Sequence, residues 1–158
     1  HTTVLSYFIS SGSIEKLCWY LDKRRPKITR HHLGVAIQTN DVNKVFHIIT
    51  CTDEKQSKKL LCTKMLNHSL ITNQSMYETL LIYSPSYFHI SRNVYKTLLR
   101  FPDQLLFTLK SYECPRIDFL VSLCLDKIRS NPTQECFSRS LQILKEFQNG
   151  TINSLPTL

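Results

Sequence analysis

Residues 3–21, TVLSYFISSGSIEKLCWYL, contain the clearest structural pattern of the chain. Apolar residues dominate Val4 to Ile9, and the small residues around Gly12 then predict a turn. Ser13 is a residue type that caps helix N-termini, and behind it apolar residues return at helical spacing. These residues are Ile14, Leu17, Cys18 and Leu21. The stretch therefore predicts two short helices joined by a turn, which is a helical hairpin.

A similar phrase returns at residues 31–49, HHLGVAIQTNDVNKVFHII. Aligning the two phrases places Leu5 on Leu33 and Leu17 on Val45 with one constant shift. The same shift places Asn40 on Gly12, and asparagine tolerates the left-handed backbone conformation better than other non-glycine residues. A repeated hairpin predicts an α-solenoid, because each hairpin exposes an apolar face that its neighbour must cover.

The two phrases resemble the ankyrin repeat, whose pattern is T-P-L-H-x-A-A, then a glycine, an acidic residue and a leucine-rich helix. In the first copy the pattern falls on Thr3, Leu5, Gly12, Glu15, Leu17 and Leu21, and in the second on Leu33, Ala36, Asn40, Ile48 and Ile49. Val4 replaces the family proline, and Ser6 and Gly34 replace its histidine. The resemblance covers about residues 3–49 and implies antiparallel helical hairpins that stack on one another.

The remainder of the sequence also favours helices. Only three glycines are present, which argues against tight β-hairpins and phosphate-binding glycine loops. Gln74 to Tyr83 is one of several further helical patterns, and prolines separate those that follow. We therefore expect an all-α protein with one helical repeat domain over residues 1–150. Within it we expect repeat-like hairpins over 1–83 and less regular helices over 84–150, followed by a frayed tail over 151–158.

The sequence shows no pattern of a catalytic or metal site. Its histidines lack the spacing of a zinc-protease helix, and no GxSxG, P-loop or GxGxxG motif occurs. We expect a protein that is not an enzyme and that uses no metal and no cofactor. The six cysteines form no CxxC pair, which favours free thiols and an intracellular protein, nuclear or cytoplasmic, over a secreted one. Three glycosylation sequons, at Asn67, Asn73 and Asn149, weigh against that location, and no apolar run is long enough to span a membrane.

The strongest functional signal is a cluster of cations after the first hairpin. The formal net charge is +8, and Lys23, Arg24, Arg25, Lys27 and Arg30 lie within eight residues, followed by His31. Pro26 prevents the helix from continuing and biases Arg25 towards an extended conformation. If the chain is a repeat array, this cluster occupies a loop between repeats, and loops on rigid scaffolds concentrate binding residues.

These features predict a protein-interaction module that binds an acidic segment of another protein. The predicted binding residues are the five cations, His31 and Tyr20, since of Trp19 and Tyr20 we expect the second to be exposed. The alternative function is DNA or RNA binding through the same cations. The cluster also fits a solvated loop or a nuclear-localisation signal. The sequence does not predict an oligomeric state.

Overall fold

A computed structural model describes residues 2–50, 55–83, 90–112 and 116–150, with side chains for all of these except residues 2, 3, 30 and 55–61. These residues form ten α-helices and no strand, which confirms the all-α prediction. The helices are α1 (Thr2–Ser11), α2 (Ile14–Arg24), α3 (Arg30–Gln38), α4 (Val42–Thr50), α5 (Lys55–Thr72), α6 (Gln74–Tyr83), α7 (Arg92–Leu98), α8 (Pro102–Ser111), α9 (Ile117–Ser130) and α10 (Glu135–Gln148). The frayed tail predicted for residues 151–158 lies outside the described residues.

The chain divides into two compact units. Unit 1 is His1–His89 and contains α1 to α6, and unit 2 is Ile90–Leu158 and contains α7 to α10. In unit 1, α1 packs on α2 and α3, and α2 packs on α4. Helix α3 packs on α4 and α5, α4 packs on α5 and α6, and α5 packs on α6.

The core of unit 1 uses the same relative positions in three successive helix pairs. Five matching positions are buried in every pair: Leu5, Ile9, Leu17, Tyr20 and Leu21; then Leu33, Ile37, Val45, Ile48 and Ile49; then Met65, Ser69, Tyr77, Leu80 and Leu81. In each pair the first helix contributes two positions four apart, which lie on one face of an α-helix. The second helix contributes positions spaced by three and four, which also share one face. Each pair therefore buries one stripe from each of its two helices.

The second helix of each pair begins at a polar side chain that binds the free backbone N–H groups. Ser13 Oγ accepts from Lys16 N at 3.3 Å, and Asp41 Oδ1 accepts from Asn43 N at 3.0 Å. Asn73 Oδ1 accepts from the backbone N–H of the third residue of α6 at 3.3 Å. Such caps satisfy donors that have no partner inside the helix, and they fix where each helix starts.

The turns before the first two caps have different backbones. Asn40 has φ 61°, which confirms the left-handed conformation, and its Oδ1 accepts a hydrogen bond from Asn73 Nδ2 at 2.8 Å. Gly12 does not have a positive φ; a Cβ at this position would lie 2.7 Å from the carbonyl oxygen of Phe8. Glycine is therefore required at residue 12 by space rather than by backbone angle.

A buried lysine joins α4 to the end of α1. Lys44 is buried, and its Nζ donates to the carbonyl oxygen of Ile9 at 2.8 Å. The last carbonyls of a helix have no intrahelical partner, and a cation is favourable at that negative end of the helix dipole. Lys44 therefore acts as a C-terminal cap for α1 supplied by another helix.

Unit 2 has its own core. Helix α7 packs on α8 and α9, and α10 packs on α8 and α9. Ser140 Oγ donates to the carbonyl oxygen of Leu99 at 2.8 Å, and Cys124 Sγ donates to that of Phe137 at 3.1 Å. The buried side chains of the described residues are Ile90, Val94, Tyr95, Leu98, Leu99, Pro102, Leu105, Thr108, Leu109, Leu120, Cys124, Phe137, Ser140 and Leu144.

Candidate binding surface at the basic segment

The predicted cations lie where α2 ends and α3 begins, and residues 23–31 are called the basic segment below. Lys23 and Arg24 form the last turn of α2, and the backbone N–H of Arg25 donates to Leu21 O at 3.1 Å as a C-terminal cap. Arg25 has φ 44° and ψ 55°, so its backbone is left-handed, and the expectation of an extended conformation was wrong. The cap bond from its own N–H holds Arg25 in this conformation, against the steric bias from Pro26.

Most of the predicted cationic side chains are accessible together. Lys23, Arg24, Arg25 and Lys27 are exposed, and so is the His31 ring in the first turn of α3. Arg30 is the first residue of α3, and its side chain lies outside the described part of the chain. The structure thus exposes four predicted cations and His31 between the last turn of α2 and the first turn of α3.

The far end of the basic segment is fixed by a histidine. The backbone N–H of Thr29, the N-cap of α3, donates to His32 Nδ1 at 3.0 Å, and His32 is 1% exposed. The His32 ring thus serves as the side-chain acceptor for the N-cap backbone, as in a capping box. The basic segment is therefore anchored to α2 at Arg25 and to α3 at Thr29, and it presents its side chains from a fixed backbone.

The prediction that Tyr20 is exposed was wrong. Tyr20 is 8% exposed and stacks on Phe8, with ring centroids 4.6 Å apart and an interplanar angle of 14°. Residue 20 is three after Leu17, so it falls on the buried stripe of α2, whereas Trp19 points away and is 54% exposed. The repeat alignment contained this signal, because the shift that places Leu33 on Leu5 places Ile48 on Tyr20. Trp19 is the exposed aromatic residue beside the basic segment.

Charges of both signs surround Trp19 on the exposed face of α2. Lys16 and Lys23 are three residues before and four after Trp19, and both are exposed. Glu15 and Asp22 are four before and three after it, and both are exposed as well. With about 100° of rotation per residue, the lysines lie on one side of Trp19 and the carboxylates on the other. The face of α2 is thus mixed in charge, whereas the basic segment beyond it is cationic.

The described residues show neither an activated thiol nor a metal-binding cluster near this surface. Burial raises the pKa of the Cys18 thiol, and the carboxylate of Glu15 raises it further, so this cysteine is not activated as a nucleophile. No group of three histidine, cysteine or acidic side chains within the described ranges is placed to hold a metal ion. None of the helices described is long and apolar enough to cross a membrane.

Comparisons with known proteins give no relative from which a function can be transferred. No protein-family model matches the chain, and no curated protein or solved structure matches it. The ankyrin resemblance of residues 3–49 therefore stays a prediction. The function of the surface has to be inferred from its geometry and charge.

Proposed function

We propose that the protein is a non-catalytic interaction module that binds an acidic segment of another protein through the basic segment. The observation that carries this proposal is the conformation of Arg25. A left-handed backbone costs a non-glycine residue roughly 1–2 kcal/mol, and glycine avoids that cost. The backbone of Arg25 is therefore strained, and strained residues are concentrated at functional sites. The strain sits among four exposed cations, which is where an acidic partner would bind.

We further propose that unit 1 is a stacked array of helical hairpins, as the ankyrin resemblance implies. The first helices pack in series from α1 to α3 to α5, and the second helices pack from α2 to α4 to α6. The recurrence of the same buried positions in all three pairs supports this proposal. Such an array would hold the loop between its first two hairpins, which is the basic segment, on a rigid support.

The exposed charges favour a protein partner over a nucleic acid. Arginine binds carboxylates and phosphates alike through two parallel hydrogen bonds, so the choice between the two partners depends on the charges around Arg24 and Arg25. Glu15 and Asp22 lie exposed on the adjoining face of α2 and would repel a phosphate backbone laid across it. A folded partner can avoid these carboxylates or pair them with its own cations. The net charge of +8 remains the argument for the nucleic-acid alternative.

An intracellular location agrees with the sites of the cysteines and two of the sequons. The cysteines in the described ranges are free thiols: Cys18, Cys62, Cys124 and Cys136. Asn67 lies inside α5, and Ser69 of the same sequon is buried with its Oγ donating to Leu66 O at 2.8 Å. The side chain of Asn73 is bonded to Asn40 and to the first turn of α6. These contacts hinder glycosylation of either asparagine in the folded chain.

Charge reversal at the basic segment tests the proposed function. The variant Arg24→Glu/Lys27→Glu reverses two exposed cations, and Lys127→Glu/Lys145→Glu makes the same change in net charge at exposed positions of unit 2. Each form is used for affinity purification from cells, with quantitative mass spectrometry of the recovered proteins. We expect specific partners to be recovered with wild type and with the unit 2 variant but not with the basic-segment variant. Recovery of every partner by all three forms would refute the proposal.

An electrophoretic mobility-shift assay with DNA and RNA of mixed sequence tests the nucleic-acid alternative. Binding through several phosphates would weaken by roughly tenfold or more between about 50 and 200 mM salt. The absence of any shift at low salt would remove this alternative. A salt-sensitive shift that Arg24→Glu/Lys27→Glu abolishes, without a protein partner, would replace the proposed function by nucleic-acid binding.

A substitution at Arg25 separates folding from function. Arg25→Gly relieves the left-handed strain, so we expect it to raise the free energy of unfolding by about 1 kcal/mol. The same substitution removes a cation from the proposed site, so partner recovery should fall. If Arg25→Gly instead keeps full partner recovery, the strained arginine is not part of the binding surface.

A further inference from the structure

Unit 2 has a cationic surface of its own on its first helix. Arg92, Lys96 and Arg100 recur at every fourth position along α7 and the turn that follows it, and all three are exposed. These three residues are called the α7 cations below. We propose that the α7 cations bind the phosphate backbone of a nucleic acid, in an interaction separate from the protein binding proposed for the basic segment.

The α7 cations lie together on the side of the helix that faces solvent. The side of α7 that packs within unit 2 is apolar and buried: Val94, Tyr95, Leu98 and Leu99. Positions four apart share one helix face, and four residues advance about 6 Å along the axis. The backbone N–H of Arg100 donates to Thr97 O at 3.1 Å, so the turn after α7 continues the row. The α7 cations therefore form a row about 12 Å long.

Two of the three α7 cations are held over aromatic rings. The guanidinium carbon of Arg92 lies 4.9 Å from the ring centroid of Phe119, in the first turn of α9, and that of Arg100 lies 5.8 Å from the ring centroid of Phe101. Both distances are within the range of a cation–π interaction. Such contacts restrict a guanidinium without neutralising its charge, so less freedom is lost when it binds an anion.

No carboxylate neutralises the α7 cations in the part of the chain that the structure describes. None of the three forms an ion pair there. Helices α8 and α9 pack on α7, and each has an aspartate in its first turn, but both aspartates are close to other arginines. Asp103 Oδ1 accepts from Arg139 Nη2 at 2.9 Å, and Asp118 Oδ1 lies 3.9 Å from Arg116 Nε. The three positive charges are therefore available to an external anion.

Helix stability does not explain the arrangement of the α7 cations. Like charges four residues apart repel each other on a helix, and a cation at the first residue opposes the helix dipole. Arg92 is the first residue of α7, and the sequence has no acidic residue between Glu78 and Asp103 that could offset these charges locally. Bound anions would remove the repulsion. The row is thus better suited to a charged ligand than to α7 alone.

The side chains beside the α7 cations favour a nucleic acid over an acidic protein. Asn93 is exposed and Thr97 is half-buried, and each follows one of the α7 cations directly. Amide and hydroxyl groups accompany arginine and lysine at phosphate contacts in protein–nucleic acid complexes. A nucleic acid has an anion at every nucleotide, so a regular row of cations meets a regular row of phosphates in any register. A protein would need acidic side chains at a matching spacing.

The proposal is tested by fluorescence anisotropy with labelled DNA and RNA of about 20 nucleotides and mixed sequence, single-stranded and double-stranded, between about 50 and 200 mM salt. Arg92→Gln/Lys96→Gln/Arg100→Gln neutralises the α7 cations. The matched control, Lys110→Gln/Lys127→Gln/Lys145→Gln, neutralises three other exposed cations of unit 2.

Three phosphate contacts predict that the logarithm of the duplex-DNA association constant falls with the logarithm of the salt concentration with a slope of about −2.7. We expect the control to keep the wild-type slope. The α7 variant should bind at least about tenfold more weakly at the lowest salt, with a slope closer to zero by about 2 or more.

A single substitution replaces the triple variant if circular dichroism shows that the triple variant does not fold. Lys96 is the middle one of the α7 cations and has no ion pair or ring contact among the described residues. Lys96→Gln should bring the slope closer to zero by about 0.9, and Lys110→Gln should leave it unchanged. Equal slopes for these two variants would contradict the inference.

Three further results would overturn the inference. In the first, none of the nucleic acids binds wild type at the lowest salt. In the second, the α7 variant binds with the affinity and slope of wild type. In the third, a labelled glutamate-rich peptide of about 20 residues binds wild type more tightly than every nucleic acid and loses binding in the α7 variant, which assigns the α7 cations to an acidic protein.

The inference and the proposed function fail separately. Arg24→Glu/Lys27→Glu changes only the basic segment, so it should retain nucleic-acid binding and lose the protein partners. The α7 variant should do the reverse. Loss of nucleic-acid binding in Arg24→Glu/Lys27→Glu, with retention in the α7 variant, would refute the role of the α7 cations and place phosphate binding at the basic segment.

Discussion

Substitution of Asn40 tests what the turn between α3 and α4 contributes to the stability of unit 1. Asn40 has a left-handed backbone between α3 and α4, and its Oδ1 accepts a hydrogen bond from Asn73 at the start of α6. Alanine removes the acceptor and introduces the steric cost of the left-handed conformation, whereas glycine removes only the acceptor. Aspartate keeps both the acceptor and the tolerance of this backbone. The three variants therefore separate backbone strain from the hydrogen bond.

The expected magnitudes follow from these two contributions. The strain is worth roughly 1–2 kcal/mol, and the solvent-exposed hydrogen bond about 0.5–1 kcal/mol. Asn40→Ala should therefore lower the free energy of unfolding of unit 1 by about 2 kcal/mol. The free energy of unfolding of Asn40→Gly should exceed that of Asn40→Ala by about 1 kcal/mol or more. That of Asn40→Asp should fall within about 0.5 kcal/mol of the wild-type value.

Urea unfolding monitored by Trp19 emission measures this series. Trp19 is the only tryptophan and lies in unit 1, so its emission reports that unit, and far-UV circular dichroism reports the helices of both. Linear extrapolation gives the free energy of unfolding, and equal slopes show that the comparison is valid. Equal stability of the alanine and glycine variants would refute the assignment of strain to residue 40. An alanine variant as stable as wild type would refute both contributions.

Three further predictions use similar measurements. Lys44→Met removes the cap on the Ile9 carbonyl and should lower the free energy of unfolding of unit 1 by about 2 kcal/mol. Lys127→Met is the control, and equal stability of the two variants would contradict the capping role. Gly12→Ala forces a Cβ against the Phe8 carbonyl and should cost about 1–3 kcal/mol in the same titration, and a neutral effect would show that the turn adapts. Burial raises the pKa of the Cys124 thiol to about 11, with a further contribution from nearby Cys136, so about one thiol in a thousand is ionised at pH 8. Iodoacetamide should therefore label Cys124 at least about a hundredfold more slowly in the folded than in the unfolded protein, with labelling faster as the pH rises towards 11; mass spectrometry showing equal rates would disprove this protection.

The helices of unit 1 were predictable where local signals agreed. Ser13 marks the start of α2, and the apolar spacing of Gln74–Tyr83 matches the observed bounds of α6. The third helix pair was harder to align, since its core includes Ser69, a polar residue with no place in an apolar pattern. Its Oγ bonds to a backbone carbonyl of its own helix, so burial leaves no unsatisfied polar group. Packing between helices, rather than apolar composition, determines that position.

The candidate site was predictable in its charges but not in its backbone, and its aromatic residue was predictable only through the repeat alignment. Clustered cations are visible in any sequence, and the structure exposes most of them. Arg25 was expected to be extended because Pro26 follows it, yet the capping bond to α2 outweighs this local bias. Tyr20 and Trp19 are adjacent, and the alignment assigns Tyr20 to the core because it places Tyr20 on Ile48. The structure adds the physical reason, since the Phe8 ring provides Tyr20 with a stacking partner.

A contribution to stability explains only some of the cations in the basic segment. Lys23 and Arg24 lie in the last turn of α2, where each cation gains about 0.3–1 kcal/mol from the helix dipole. Lys27 lies beyond the helix end and has no such gain, and Arg25 has a left-handed backbone that glycine would adopt at a lower steric cost. Sequences break local folding rules mainly where function requires it. The functional inference therefore rests on Arg25 and Lys27, while Lys23 and Arg24 serve both the helix and the surface.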